Sequence, residues 1–308
     1  MARELAPSIV FFGTGPVAAK SLELLTKFCN IEAVITKPKP KHHKGTAPVL
    51  DFARKIDVDI FTTNSRMDLD QLITNKSFAS SLGVLIDFGI IVSQQVISSF
   101  SAGIVNSHFS ILPSLRGADP ITFAILSGQQ HTGVSLMMIV PGLDEGPLVD
   151  YAEIELPKDI TTPELTDRLI LLSNSLIKAN ISKLVQGTTD LLPQSVTGKS
   201  VSYSHKLTKE DGIIDWNKSA LELEREIRAF ADWPASKTHI GDIEVTITKA
   251  KSCNLQLEPS AIWFDKKNLI IGCGVNSLSI IKIKPTGKSE MDIASFLAGY
   301  HKRIQDRA

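Results

Sequence analysis

Through the first 190 residues, short unbroken apolar runs alternate with longer segments in which apolar side chains recur every three or four positions. The first pattern reads as a buried strand and the second as a helix packed by one face. "SIVFFG" is the first strand, and "GPVAAKSLELLTKF" the first helix, with Leu22, Leu25 and Phe28 spaced along one side. "IEAVIT", "VDIFTT", "SLGVLIDFG", "SAGIVNSH", "TGVSLMMIV" and "LVDYAEIEL" are the further strands, and "APVLDFARK", "DPITFAILSG" and "TTPELTDRLILLSNSLIKANISKLVQG" the further helices. Asp119, ahead of Pro120, is the expected N-cap of the penultimate helix. Such alternation predicts an α/β domain with a mostly parallel, Rossmann-like sheet.

The pattern then changes. "GTTDLLPQSVTGKSVSYSH" carries turn formers with no sustained period, so residues 191–205 read as a linker between a domain at 1–190 and another at 206–308. The second domain has one amphipathic segment, "ALELEREIRAF", and then short β-rich runs: "SKTHI", "IEVTITKAK", "SAIWF", "NLIIGCG" and "LSIIKIK". Short strands broken by tight turns predict a small β-barrel of the OB-like kind.

Composition narrows the class without naming a function. The 308 residues are 43% hydrophobic and 21% charged, the balance of a globular protein. Lys plus Arg and Asp plus Glu both number 33, so any nucleic-acid partner must be held by a local patch rather than by net charge. The N-terminus lacks a signal-peptide core, and no run is long enough to span a membrane, which predicts a cytoplasmic protein. Cys29, Cys253 and Cys273 are too far apart for a disulfide framework or the close pairs of a zinc site, and the seven histidines show no ligand spacing, so no metal is expected.

Two motifs carry candidate chemistry. Gly13-Thr14-Gly15-Pro16-Val17-Ala18 meets the loose G-x-G-x-x-A dinucleotide pattern, but "IEAVITK" ends in Thr36 and Lys37 where a ribose-binding acid is needed, so a tight turn into the first helix is the better reading. Asn106 and His108 share one face of the strand "GIVNSH", near its carboxyl end, where open α/β sheets bind ligands. They are either a satisfied core pair or a pair that holds an oxyanion and moves a proton. Asp144, between Gly142 and Gly146 in "PGLDEGPLV", is the candidate partner for the imidazole; its alternative is an ordinary turn aspartate.

Together, Asn106-Ser107-His108, Ser110-Ile111-Leu112-Pro113, Arg116-Gly117, Pro120, Gly133-Val134-Ser135 and Leu143-Asp144-x-Gly146 resemble the active-site constellation of the folate-dependent formyltransferases. "VFFGTGPVAAKSLELL", "KLTKEDGIIDW", "IRAFADWP" and "IKPTGKSEM" extend the resemblance nearly end to end, toward those members of the family that formylate methionyl initiator tRNA. The chain departs from the family pattern at Asp87, Ser93 and Leu115. The resemblance implies 10-formyltetrahydrofolate as formyl donor and co-substrate, initiator methionyl-tRNA as acceptor, and a monomer. It implies Asn106, His108 and Asp144 as catalytic. Phe88, Gly89, Ile90, Ile91, Val92, Ser110, Ile111, Leu112 and Pro113 are implied to bind the folate, and Lys37, Lys39, Lys41 and Lys44 of "KPKPKHHK" the tRNA. The nearest competing reading is formyl transfer to an amino sugar nucleotide.

Overall fold

The computed structural model describes residues 6–39 and 45–305. It forms two compact units that interleave along the chain. One is built from the chain up to Gly117 with His131–Ile154 and Thr166–Tyr203, and the other from Ala118–Gln130, Glu155–Leu165 and the chain from Ser204 onwards.

The first unit follows from its apolar runs. They form β1 (Ser8–Phe12), β2 (Asn30–Thr36), β3 (Asp59–Thr62), β4 (Leu82–Leu85), β5 (Ile104–His108), the two-residue β6 (Arg116–Gly117), β7 (His131–Met138) and β8 (Leu148–Glu155). Apart from β6, these make one seven-stranded sheet in the order β3-β2-β1-β4-β5-β7-β8. The pairings from β3 through β5 are parallel, and β7 runs antiparallel to β5. Connecting helices are α1 (Pro16–Leu25), α2 (Pro48–Lys55), α3 (Arg66–Asn75) and α4 (Gln94–Ser98). Proline at the start of α1 gives up an amide that has no intrahelical partner in any case, and Ala18, Leu22 and Leu25 face the core. Phe12 anchors one layer of that core, with Phe88 and Phe100 edge-on at 5.6 and 5.8 Å.

α5 (Pro120–Leu126) belongs to the second unit, and α6 (Thr162–Gln186) begins there. Asp119 does not cap α5 as expected. It takes a left-handed conformation at φ 56°, and its carboxylate accepts the Leu207 amide at 2.9 Å, a partner 88 positions away that no local pattern reveals.

After β9 (Tyr203–Ser204), the second unit contains α7 (Ala220–Ala229) and an antiparallel sheet. Its strands are β10 (Ser236–Ile240), β11 (Ile243–Cys253), β12 (Ile262–Phe264), β13 (Leu269–Gly272), β14 (Ser277–Pro285) and β15 (Met291–Asp292). The order is β10-β11-β14-β13-β12 with β15 on β14, a half-barrel of the OB-like kind. α7 opens with a capping box, Ser219 and Glu222 each bonding the other's backbone amide. α8 (Ile293–Gln305), which the sequence reading passes over, buries Ile293, Phe296, Leu297 and Ile304 in the same core.

One ion cluster ties the second unit's inserted segment to its sheet. Lys251 meets both Asp159 and Glu224, and Glu224 also accepts the Ser252 amide at 2.7 Å. Burial pushes the Glu224 carboxyl up, but the Ser252 and Lys251 hydrogen bonds outweigh it and hold the group below its ordinary value of 4.5. A carboxylate held down this way contributes stability above pH 4.5, and the contribution is lost as pH falls through the lowered value. Glu224→Gln is therefore expected to destabilise the protein at pH 7 by about 1–2 kcal/mol, as for a hydrogen-bonded, partly screened charge. Thermal melts read this as a drop in Tm that narrows as pH falls below 4.5; a gap that does not narrow with falling pH contradicts the assignment.

Among the described residues no helix is long and apolar enough to cross a membrane.

Candidate active site

β1 is the point where the sheet changes direction: β2 and β3 follow on one side of it, β4 and β5 on the other. The carboxyl ends of β1 and β4 flank the crevice where such sheets bind ligands. Two loops are tied together there, because the Thr14 amide donates to Asp87 O at 3.0 Å and its hydroxyl to Phe88 O at 3.1 Å. Phe88 and Val92 drop into the core while Ile91 stays exposed, so residues 87–92 form a fixed loop with an open outer edge. Asp87 and Gly89 turn it at positive φ, 48° and 65°.

The first glycine cluster is structural. A Cβ on Gly13 would strike the Ala18 side chain and the Ile86 carbonyl, and the bare Gly15 leaves room for the Asp87 carboxylate. With a carboxylate beside the start of α1, the turn is unsuited to a pyrophosphate.

The basic stretch is only partly described. Lys37 leaves the end of β2 and donates its ammonium to Gly89 O at 2.7 Å, so it serves the 87–92 loop in this structure. Lys39 is exposed, and Lys41 and Lys44 lie outside the described residues.

Asn106 and His108 end β5 on one face, opposite Met137 and Ser135 of β7. Ser107 points the other way and meets the Ser173 hydroxyl at 2.6 Å. Asn106 is 7% exposed and His108 6%. Among the described residues, no hydrogen-bond partner meets the Asn106 amide. The amide is not among the enclosed polar groups left without a partner, so its donors reach the open side of the site, where a ligand can take them.

His108 is held from both sides. Its Nε2 bonds to the Leu115 carbonyl at 2.8 Å, which requires the proton on that nitrogen. Its Nδ1 faces the Asp144 carboxylate at 3.8 Å. Asp144 is itself oriented: its Oδ2 accepts the Gly117 amide at 2.7 Å. Leu115 and Asp144 both sit at positive φ, 57° and 51°, a conformation that costs a non-glycine residue about 1–3 kcal/mol. For Leu115, which unlike aspartate has no turn preference for this region, the conformation marks a geometry that the surroundings impose.

Those surroundings come partly from a region that sequence reasoning passes over. Ser202 Oγ accepts the Leu115 amide at 2.9 Å, and Ser202 O accepts the Arg116 amide at 2.9 Å. Gln194 bonds to the backbone of the Asp144 loop and to Arg116. Ser110, Ile111, Leu112 and Pro113 are buried, and Ser135 Oγ fixes that stretch by donating to Ser110 O at 2.8 Å and accepting Leu112 N at 3.0 Å. No group of three His, Cys, Asp or Glu residues among those described is placed to hold a metal ion.

The family described as formyl transferase matches residues 8–180, and its C-terminal domain matches 206–301. The chain belongs to the formyl transferase family. Curated relatives span it almost whole: a methionyl-tRNA formyltransferase of Acetivibrio thermocellus is 31% identical, covering 95% of this chain and 96% of its own. One from Dechloromonas aromatica is 30% identical, covering 97% and 98%. An N-formyltransferase from Helicobacter canadensis, solved with folinic acid and dTDP-3-aminofucose, shares the fold with a TM-score of 0.66 at 20% identity, over 90% of this chain and 98% of its own. HypX from Aquifex aeolicus, solved with tetrahydrofolic acid, scores 0.64 at 15% identity, over 97% and 48%. Residues 181–205, which include Gln194 and Ser202, fall between the two family matches.

Proposed function

We propose that this member of the family moves a formyl group from 10-formyltetrahydrofolate to the free α-amino group of methionyl initiator tRNA, in the cytoplasm. The observation that carries the reading is the match of both domains, nearly end to end, to relatives named methionyl-tRNA formyltransferase. The site geometry supports the chemistry independently.

The transfer is an acyl exchange between two nitrogens. The acceptor amine attacks the formyl carbon, a C–N bond forms, and negative charge grows on the formyl oxygen. The bond from that carbon to N10 of the folate then breaks, and the proton lost by the amine ends on N10. The uncommitted Asn106 amide is the donor for the developing oxyanion. Nε2 of His108 stays committed to the Leu115 carbonyl, so the proton is taken from the amine and returned to N10 through Nδ1, which makes no hydrogen bond and faces Asp144 across 3.8 Å. Asp144 holds the ring's orientation. The folate occupies the crevice beside 87–92 and 110–113, and the lysine stretch that follows Lys37, with Lys39 exposed, meets the acceptor. Lys251 and Lys282 are engaged by acidic partners, so phosphate contacts in the second unit fall to Lys249, Lys284 and Lys288.

Absorbance tests the pairing of donor and acceptor. With the protein present, 10-formyltetrahydrofolate is expected to convert to tetrahydrofolate only once methionyl initiator tRNA is added. Conversion driven instead by a dTDP-linked amino sugar, and not by the charged tRNA, contradicts the acceptor.

A further inference from the structure

We infer that Gln194, from the connecting segment outside both family matches, is a positioning residue that sets the aspartate facing His108. The inference rests on the proposed formyl transfer. Gln194 is 8% exposed and every hydrogen-bonding position of its amide that the loop needs is used. Nε2 donates to Asp144 O at 2.7 Å and to Gly146 O at 2.9 Å, and Oε1 accepts from Arg116 Nη2 at 2.7 Å. One side chain thereby grips both ends of the turn that carries Asp144 and the arginine that lies just ahead of Gly117, whose amide bonds the Asp144 carboxylate.

The grip matters because the turn does not hold itself. Asp144 is at φ 51°, in the left-handed region, and its carboxylate stands 3.8 Å from His108 Nδ1, where a small rotation alters the contact. Gln194 is in turn anchored. Leu192 exchanges backbone hydrogen bonds with Leu148 of β8 at 2.7 and 2.8 Å, and Thr197 Oγ1 donates to Leu112 O at 2.7 Å. The turn is thus referenced to the sheet edge and to the 110–113 stretch through a single amide. Glutamine is required by its donors: a glutamate keeps the shape and the acceptor for Arg116 but aims an oxygen at two carbonyl oxygens.

The test is a double-mutant cycle. Gln194→Ala is expected to lower kcat about 10²-fold, the loss associated with an ångström of misplacement, with little change in either KM. The same change in an Asp144→Asn background should cost little more, because the carboxylate through which Gln194 acts is already gone. Equal losses in both backgrounds, or an unchanged kcat, overturn the inference. A second readout needs no substrate: the ring signals of His108, followed by NMR against pH, should move in Gln194→Ala in the same direction as in Asp144→Asn. Unmoved ring signals overturn the inference even if the acceptor proves to be something other than tRNA. Gln194→Glu, near-isosteric, serves the same comparison if the alanine variant fails to give a cooperative melt.

Discussion

His108→Ala is expected to lower the rate of formyl transfer by about 10² to 10⁴, the range for loss of a positioned proton relay. Two features make this the largest single effect. The ring stands at the end of β5 with Nε2 bonded to Leu115 O and Nδ1 facing Asp144 Oδ2, so its removal ends the relay and leaves Asp144 without the group it faces. It also frees the Leu115 carbonyl, which sits in a strained backbone, so the variant should melt at a somewhat lower temperature as well. Rates measured at a temperature where the variant is fully folded separate the two effects, because only the loss of the relay persists there. A variant with the wild-type rate contradicts the assignment.

Asn106→Ala is expected to cost about 10² to 10³ in turnover, as for removal of one oxyanion donor. Here the stability forecast is different. The amide has no partner among the described residues, so deleting it strands nothing, and Tm should stay close to that of the wild type. A large rate loss in a protein of undiminished stability distinguishes a group kept for the transition state from one kept for the core. Single-turnover rates with saturating donor, alongside thermal melts, make the comparison. A large fall in Tm with an unchanged rate is the opposite outcome, and returns Asn106 and His108 to the satisfied core pair that the sequence alone allowed.

Much of this was legible in the chain because it is local. The period-two placement of Asn106 and His108 fixes them on one face of a strand, and the alternation of apolar runs with helical periods foretells the sheet that carries them. Thr36 and Lys37 at the end of β2 speak against a dinucleotide loop at Gly13, and the packing of Ala18 and Asp87 against that turn accounts for its glycines. What the chain hid is non-local. Asp119 reads as a cap and instead holds Leu207. Gln194 and Ser202 sit among turn formers, in a segment with no periodicity, and their roles exist only once that segment lies against the Asp144 turn and Leu115. Lys37 belongs to a basic run by sequence, yet a single hydrogen bond to Gly89 gives it to the neighbouring loop. The interleaving of the two units is hidden for the same reason: α5 lies between first-unit strands in sequence but groups with the second unit. The helix α8 is different, since Ile293, Phe296, Leu297, Tyr300 and Ile304 do carry a helical period that the strand-rich context masks.

The most direct measurement is of the product. The protein is incubated with 10-formyltetrahydrofolate and methionyl initiator tRNA, the tRNA is digested, and the mass of the methionyl adenosine is read, with methionyl elongator tRNA alongside. One added formyl group is expected on the methionine amine of the initiator tRNA and almost none on the elongator. An unmodified methionine, from a protein that binds the folate and transfers its formyl group to an amino sugar nucleotide, would contradict it.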